Sequence, residues 1–284
     1  MKIGIEYKKS LGETLGSSAL KKLKSFGFDA LDYQIADTNS EIYAMSEKES
    51  IAFLRKERAQ IEEAGLFVNQ VHGPWRWPPR DYEEADRNER MEKMKRSMRM
   101  AAALGARYWI VHPLMPFGIE DIGSGKEAET HSINLAFMRE LLAEAKKNGV
   151  VICLENMPFP KFSIATPEAI LNIVKEINDE DFKICLDTGH VATYADLDLA
   201  QETLRLGSYI KALHVHDSFT THDYHLAPYS GKHDWEKFGA ALLAVGYEGV
   251  FSLETWPSAA LPLELLEDEL ALLSKKAKYI VRPR

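Results

Sequence analysis

The fold class that the sequence predicts is a (β/α)8 barrel, and three observations predict it. Short apolar runs alternate with amphipathic stretches from one end of the chain to the other. Several of these runs stop abruptly in a carboxylate or a histidine, as strands do when they deliver ligands to one face of a barrel. No Pro/Ser-rich linker or shift in composition divides the 284 residues, and barrels of this class often reach that length as one domain. A single domain over 1–284 is therefore expected.

Residues 2–7 read as the first strand, 13–26 as an amphipathic helix closed by Gly27, and 28–33 as the second strand. Ser46 with Glu49 three positions on forms a capping box that opens a long helix to Ala64, and Gly65 closes it. The third strand then runs from Phe67 into His72-Gly73-Pro74. A helix over 84–104 precedes the fourth strand, Arg107 to Val111, which runs into His112-Pro113.

The helix at 131–148 feeds a fifth strand, 150–155, ending in Glu155. Thr166-Pro167-Glu168 has the N-cap and N1 order of a helix start. Strand six is 182–187 and ends in Asp187. A helix near 197–206 leads to strand seven, 210–217, which contains His214-Val215-His216-Asp217. The helix 234–245 precedes strand eight, 250–254, ending in Glu254, and the last helix runs over about 262–277. The interval from Glu155 to Asp187 is 32 residues, from Asp187 to His214 it is 27, and from His214 to Glu254 it is 40; each is about one βα unit.

Composition bounds the function. The chain is 45% apolar and 27% charged, as expected of a globular protein with a sizeable core. It has neither an apolar run of the ~20 residues needed to span a membrane nor the h-region of a signal peptide, so the cytoplasm is the expected compartment. A net charge of −8 argues against a broad nucleic-acid footprint. Cys153 and Cys185 each sit two positions before a strand-terminal acid and read as buried packing residues, a disulfide between them being the lesser alternative.

In a barrel, His72, His112, Glu155, Asp187, His214 and Glu254 gather at the C-terminal face of the strands. Three carboxylates and an imidazole form a mixed N/O set suited to Mn, Zn, Co or Mg, with positions left open for substrate oxygens. His216 competes with His214 as the imidazole ligand; His214 is favoured because it lies deeper. The loop after strand seven adds Asp223 and His225 as a pair able to hold a further metal. His190 reads as either a substrate contact or a ligand of that metal. Trp75, Trp77 and Trp256 offer apolar platforms for a bound ligand.

These motifs, namely His72-Gly73-Pro74, Val111-His112-Pro113, Leu154-Glu155-Asn156, Leu186-Asp187-Thr188-Gly189-His190, His214-Val215-His216-Asp217, Asp223-Tyr224-His225 and Leu253-Glu254-Thr255, resemble those of the xylose isomerase-like barrel superfamily over essentially the whole chain. That superfamily includes sugar isomerases, sugar epimerases and the endonuclease IV branch. The resemblance implies Glu155, Asp187, His214 and Glu254 as ligands of a single divalent metal in the epimerase-type members. In the endonuclease IV branch it implies a three-metal cluster that adds His72, His112, His190, Asp223 and His225.

The expected activity is isomerisation or epimerisation of a sugar or sugar derivative by proton transfer through an enediolate, with Glu155 and Glu254 as acid and base and with His72, His112, His190, Trp75 and Trp256 contacting substrate. Alternatives are a metal-dependent phosphodiesterase acting on abasic DNA and an inosose-type dehydratase. No Arg lies between Arg205 and Arg282, which departs from the phosphate-clamping loops of the nuclease and from the substrate-binding Arg of ketose 3-epimerases, where Thr220 stands instead. A small carbohydrate is the expected partner, nucleic acid and membrane are not, and the sequence leaves homo-oligomerisation open.

Overall fold

The computed structural model describes residues 1–220, 222–255, 257 and 260–283. In chain order the elements are β1 (Lys2–Tyr7), α1 (Lys9–Leu15), α2 (Ala19–Phe26), β2 (Ala30–Gln34), α3 (Glu41–Ala44), α4 (Glu47–Glu63), β3 (Phe67–His72), α5 (Glu84–Leu104), β4 (Tyr108–Val111), α6 (Glu127–Asn148), β5 (Val151–Glu155), α7 (Pro167–Ile177), β6 (Phe182–Asp187), α8 (Thr188–Ala192), α9 (Leu199–Leu206), β7 (Ile210–His214), β8 (Asp217–Phe219), β9 (His222–Leu226), α10 (Trp235–Ala244), β10 (Val250–Leu253) and α11 (Leu263–Ile280).

Eight strands pair in parallel in the order β10-β1-β2-β3-β4-β5-β6-β7, with helices between them, so the expected barrel is present. The seam between β7 and β10 is narrow. Val215 N–H donates to Ser252 O at 2.8 Å, and Glu254 N–H donates to Val215 O at 3.0 Å. This seam places Glu254 beside the end of β7, although 40 residues separate it from His214.

Among the differences from the sequence reading, three have a clear local description. The helix read over 13–26 is two, because Gly16 has φ +80 and breaks the chain between α1 and α2. Strand seven stops at His214, because Val215 turns to pair across the seam; Asp217 instead opens an antiparallel hairpin of β8 and β9. The helix before β5 begins four residues earlier than read, at Glu127. The Ser46 capping box has both of its hydrogen bonds, and Thr166 Oγ1 accepts from Ala169 N–H as the N-cap of α7.

Most buried apolar side chains form one contiguous core between sheet and helices. A smaller cluster of Ile110, Val151, Cys153, Cys185 and Ala212 fills the barrel interior, and both cysteines are free thiols. Among the described residues no helix is long and apolar enough to cross a membrane.

Candidate metal centre at the barrel mouth

β5 and β6 are locked together where they deliver their acids. Asn156 Oδ1 accepts from Asp187 N–H at 2.9 Å while its amide donates to Asp187 O at 3.0 Å. Asp187 then divides its two oxygens. Oδ1 accepts from His190 N–H at 2.7 Å and caps α8, and Oδ2 faces the barrel axis 3.1 Å from His216 Nε2. Gly189 is required at the turn: a Cβ there would lie 1.8 Å from the His216 ring. The hydroxyl of Thr188 donates to His216 O at 2.6 Å and pins the start of the following segment.

Glu155, Asp187, His214 and Glu254 each bring one ligand atom to within 4.8 Å of the others, and all four side chains are buried. The sequence reading preferred His214 to His216 for this quartet, and His214 Nδ1 is the imidazole atom at its centre, 2.6 Å from Glu155 Oε1 and 3.4 Å from Glu254 Oε2. The opposite nitrogen, Nε2, lies 2.9 Å from Asp32 Oδ2. Asp32 sits on β2, is fully buried, and also accepts from Gln70 Nε2 at 3.0 Å. Sequence reasoning passed over Asp32, although an acid flanked by Leu31 and Tyr33 in mid-strand was a readable signal.

Carboxylates thus stand at both nitrogens of a buried ring. Burial disfavours a charged His214, but the carboxylates of Glu254, Glu155 and Asp32 around it hold its pKa well above the usual histidine range. These surroundings favour a positive charge at Nδ1, and a divalent ion held by the quartet would take the place of the proton there.

Further groups of ligand-type side chains flank the quartet. His72 Nδ1 donates to Gly73 O at 2.7 Å, which turns Nε2 toward the site. Nε2 lies 3.1 Å from His112 Nε2, and both face Glu155 Oε2, at 3.5 Å from His72 and 3.0 Å from His112. His112 is held down to about 4, chiefly by burial, and is therefore neutral near pH 7.

On the other side, His190 Nδ1 lies 2.6 Å from Asn156 O and His225 Nδ1 lies 2.9 Å from Glu254 O, so both Nε2 atoms turn to Asp223 Oδ2, at 3.3 and 3.1 Å. His216 stacks on His225 with ring centroids 4.1 Å apart. Among the described residues its buried Nδ1 has no hydrogen-bond partner, and it faces Asp223 Oδ1, likewise unpartnered among them, at 3.6 Å.

The carboxylates are not equivalent. Burial raises Glu155, but His214, His112 and His72 overcome it and hold the group well below the usual carboxylate range. Burial also raises Glu254, and there Glu6, Asp187 and Glu155 add to it, so Glu254 stands well above that range. Without a metal, the surroundings thus favour the charged form at Glu155 and disfavour it at Glu254.

Sulfur was expected to lie outside the ligand set. Cys185 Sγ in fact comes within 4.8 Å of the ligand atoms of Glu155 and His214. Burial pushes its pKa well up, so it stands there as a thiol.

Trp75 lies at the mouth, its ring 5.7 Å from that of His112 and 46% exposed, and Trp77 stacks on Phe159 at 5.8 Å. Trp256 lies outside the described residues. A cavity of about 270 Å³ opens between the ends of β1 and β10 next to Glu254, lined by residues that include Glu6, Lys8, Leu11, Thr14 and Thr255.

Residues 20–276 match the sequence model of the family described as "xylose isomerase-like TIM barrel". The chain belongs to this family. It is 28% identical to an uncharacterised protein of Methanocaldococcus jannaschii, over 97% of this chain and 92% of that one. It is 30% identical to the D-psicose 3-epimerase of Ruminiclostridium cellulolyticum over a shorter stretch, 41% of this chain and 38% of the enzyme. Among solved structures, a D-tagatose 3-epimerase-like protein superimposes with a TM-score of 0.75 at 25% identity, covering 99% of this chain and 98% of the other.

Proposed function

We propose that the protein is a divalent-metal-dependent isomerase or epimerase acting on a sugar or sugar derivative. The observation that carries this reading is the convergence of ligand atoms from Glu155, Asp187, His214 and Glu254, delivered by four different strand ends, on one point. The similarity to a D-psicose 3-epimerase and to a D-tagatose 3-epimerase-like structure supports it.

The quartet would hold Mn, Zn, Co or Mg, whose positive charge, when bound, steadies two neighbouring sugar oxygens and offsets the charge that develops as a carbon-bound proton leaves. Glu155 and Glu254 approach the quartet from β5 and from the end of β10. One removes the proton from the carbon next to the carbonyl, and the other returns a proton to the opposite face or to the adjacent carbon. His72, His112 and His190 hold substrate hydroxyls, while Trp75 and Trp256 supply apolar faces for the ring. Asp223 and His225 form a further cation site beside His190. The test is interconversion of free and phosphorylated ketoses by the metal-loaded protein, followed by chromatography; conversion of none of them with any of the four metals counts against the reading.

A second reading, a phosphodiesterase acting on abasic DNA, draws support from the approach of His72, His112, His190, Asp223 and His225 to the quartet. The net charge of −8 and the absence of Arg between Arg205 and Arg282 weigh against it, since a phosphate backbone is held by clustered basic side chains. Three tightly held zinc ions per chain would favour the nuclease; one exchangeable ion favours the sugar enzyme.

Asp32 provides a test of how the site is built. A carboxylate behind a metal-binding imidazole fixes its tautomer and orientation, and losing such a partner costs about 10–100-fold in metal affinity. Asp32→Ala is expected to weaken Co or Zn binding by about that factor in competition with a chromophoric chelator. Unchanged affinity would show that His214 is oriented by other contacts.

A further inference from the structure

Helix α11 carries two apolar faces. Leu266, Leu270, Leu273, Ala277 and Ile280 are buried against the barrel. On the outer side Leu265, Leu272 and Tyr279 recur at every seventh residue, and each is 51% exposed. Asp268 and Lys275, both exposed, lie along the same outer stripe. One apolar residue per heptad, with Asp268 and Lys275 between them, makes a narrow apolar stripe along the outer face that a second helix can cover.

The charges around the stripe identify the partner. Glu264, Glu267, Asp268 and Glu269 occupy the first half of the helix, and Lys275, Lys276 and Lys278 the second. Laid antiparallel on a copy of itself with Leu272 against Leu272, the helix sets Leu265 against Tyr279, Asp268 against Lys276 and Glu269 against Lys275. A two-fold axis through Leu272 makes each of these contacts twice. A parallel copy would set acid against acid, and an anionic membrane surface would be repelled by the first half. Glu267 is already paired with Lys22 at 2.6 Å, and Lys276 Nζ also donates to Pro228 O at 2.8 Å. Arg282 covers one face of the Tyr279 ring.

We infer that α11 is the two-fold interface of a homodimer, occupied by α11 of a second copy running antiparallel. Sedimentation equilibrium of the full chain tests this, with circular dichroism as a check that each variant is folded. The wild-type chain is expected to dimerise, and Leu272→Arg to be monomeric over the same concentrations. Glu269→Lys and Lys275→Glu should each weaken the dimer by about tenfold or more, since each places like charges together at two symmetric points. The double variant Glu269→Lys/Lys275→Glu should recover the dimer, because both reversed groups then face each other across the axis. A wild-type chain that stays monomeric overturns the proposal. So does a dimer indifferent to Leu272→Arg, and a double variant no tighter than the single variants overturns the antiparallel register.

Discussion

Glu155→Gln and Glu254→Gln are each expected to reduce exchange between substrate carbon-bound hydrogen and solvent by about 10²–10⁴-fold, the range that a positioned proton-transfer group contributes. The amide preserves the size of the side chain but can neither take nor return a proton. Because both glutamates also belong to the quartet, the rates are to be compared at saturating metal, with bound metal measured in the same samples. The environments of the two groups make them unequal partners. In the absence of metal, burial works against the charge on Glu155 but the imidazoles around it favour the carboxylate, whereas burial and the acids Glu6, Asp187 and Glu155 disfavour the charge on Glu254. Exchange that persisted in both variants would sink the two-carboxylate scheme.

His214→Ala carries the second large effect, on stability as well as on metal. The ring is fully buried between Asp32 Oδ2 at 2.9 Å and Glu155 Oε1 at 2.6 Å. Removing it leaves two buried carboxylates facing a void, and removing one partner of a buried charged pair typically costs about 3–5 kcal/mol. The midpoint of denaturant unfolding of the metal-free protein should fall accordingly, and the protein should retain no stoichiometric metal after gel filtration. A variant as stable as the parent would show that Asp32 and Glu155 do not depend on the imidazole between them.

Much of this site was legible because the barrel converts strand ends into neighbours. The apolar runs closing in Glu155, Asp187 and Glu254 announced both the strands and the acids, and the periodicity of βα units placed them on one face. The choice of His214 over His216 followed from depth along one strand. Other features depended on contacts that no local pattern encodes. Asp32 meets His214 across 182 residues, and its partner Gln70 is 38 residues away. The alternation in His214-Val215-His216-Asp217 read as a continuing strand, whereas Val215 is drawn aside by Ser252 and Glu254, partners contributed by the last strand. Cys185 was visible as a core residue but not as a neighbour of the quartet, since that proximity depends on how β6 lies beside β7. Gly16 was read through as part of a helix because the apolar spacing on either side of it is nearly continuous.

The central claim is that a divalent ion in the quartet enables proton transfer at a sugar carbon. Its most direct test is proton NMR of a ketose panel in D2O, with the chain first stripped of metal and then reloaded with Mn, Co, Zn or Mg. The account predicts no deuterium incorporation with the stripped protein, and incorporation at a carbon adjacent to the carbonyl of at least one ketose once metal is restored. Incorporation into none of the sugars, together with metal-dependent cleavage of an abasic-site duplex, would contradict it.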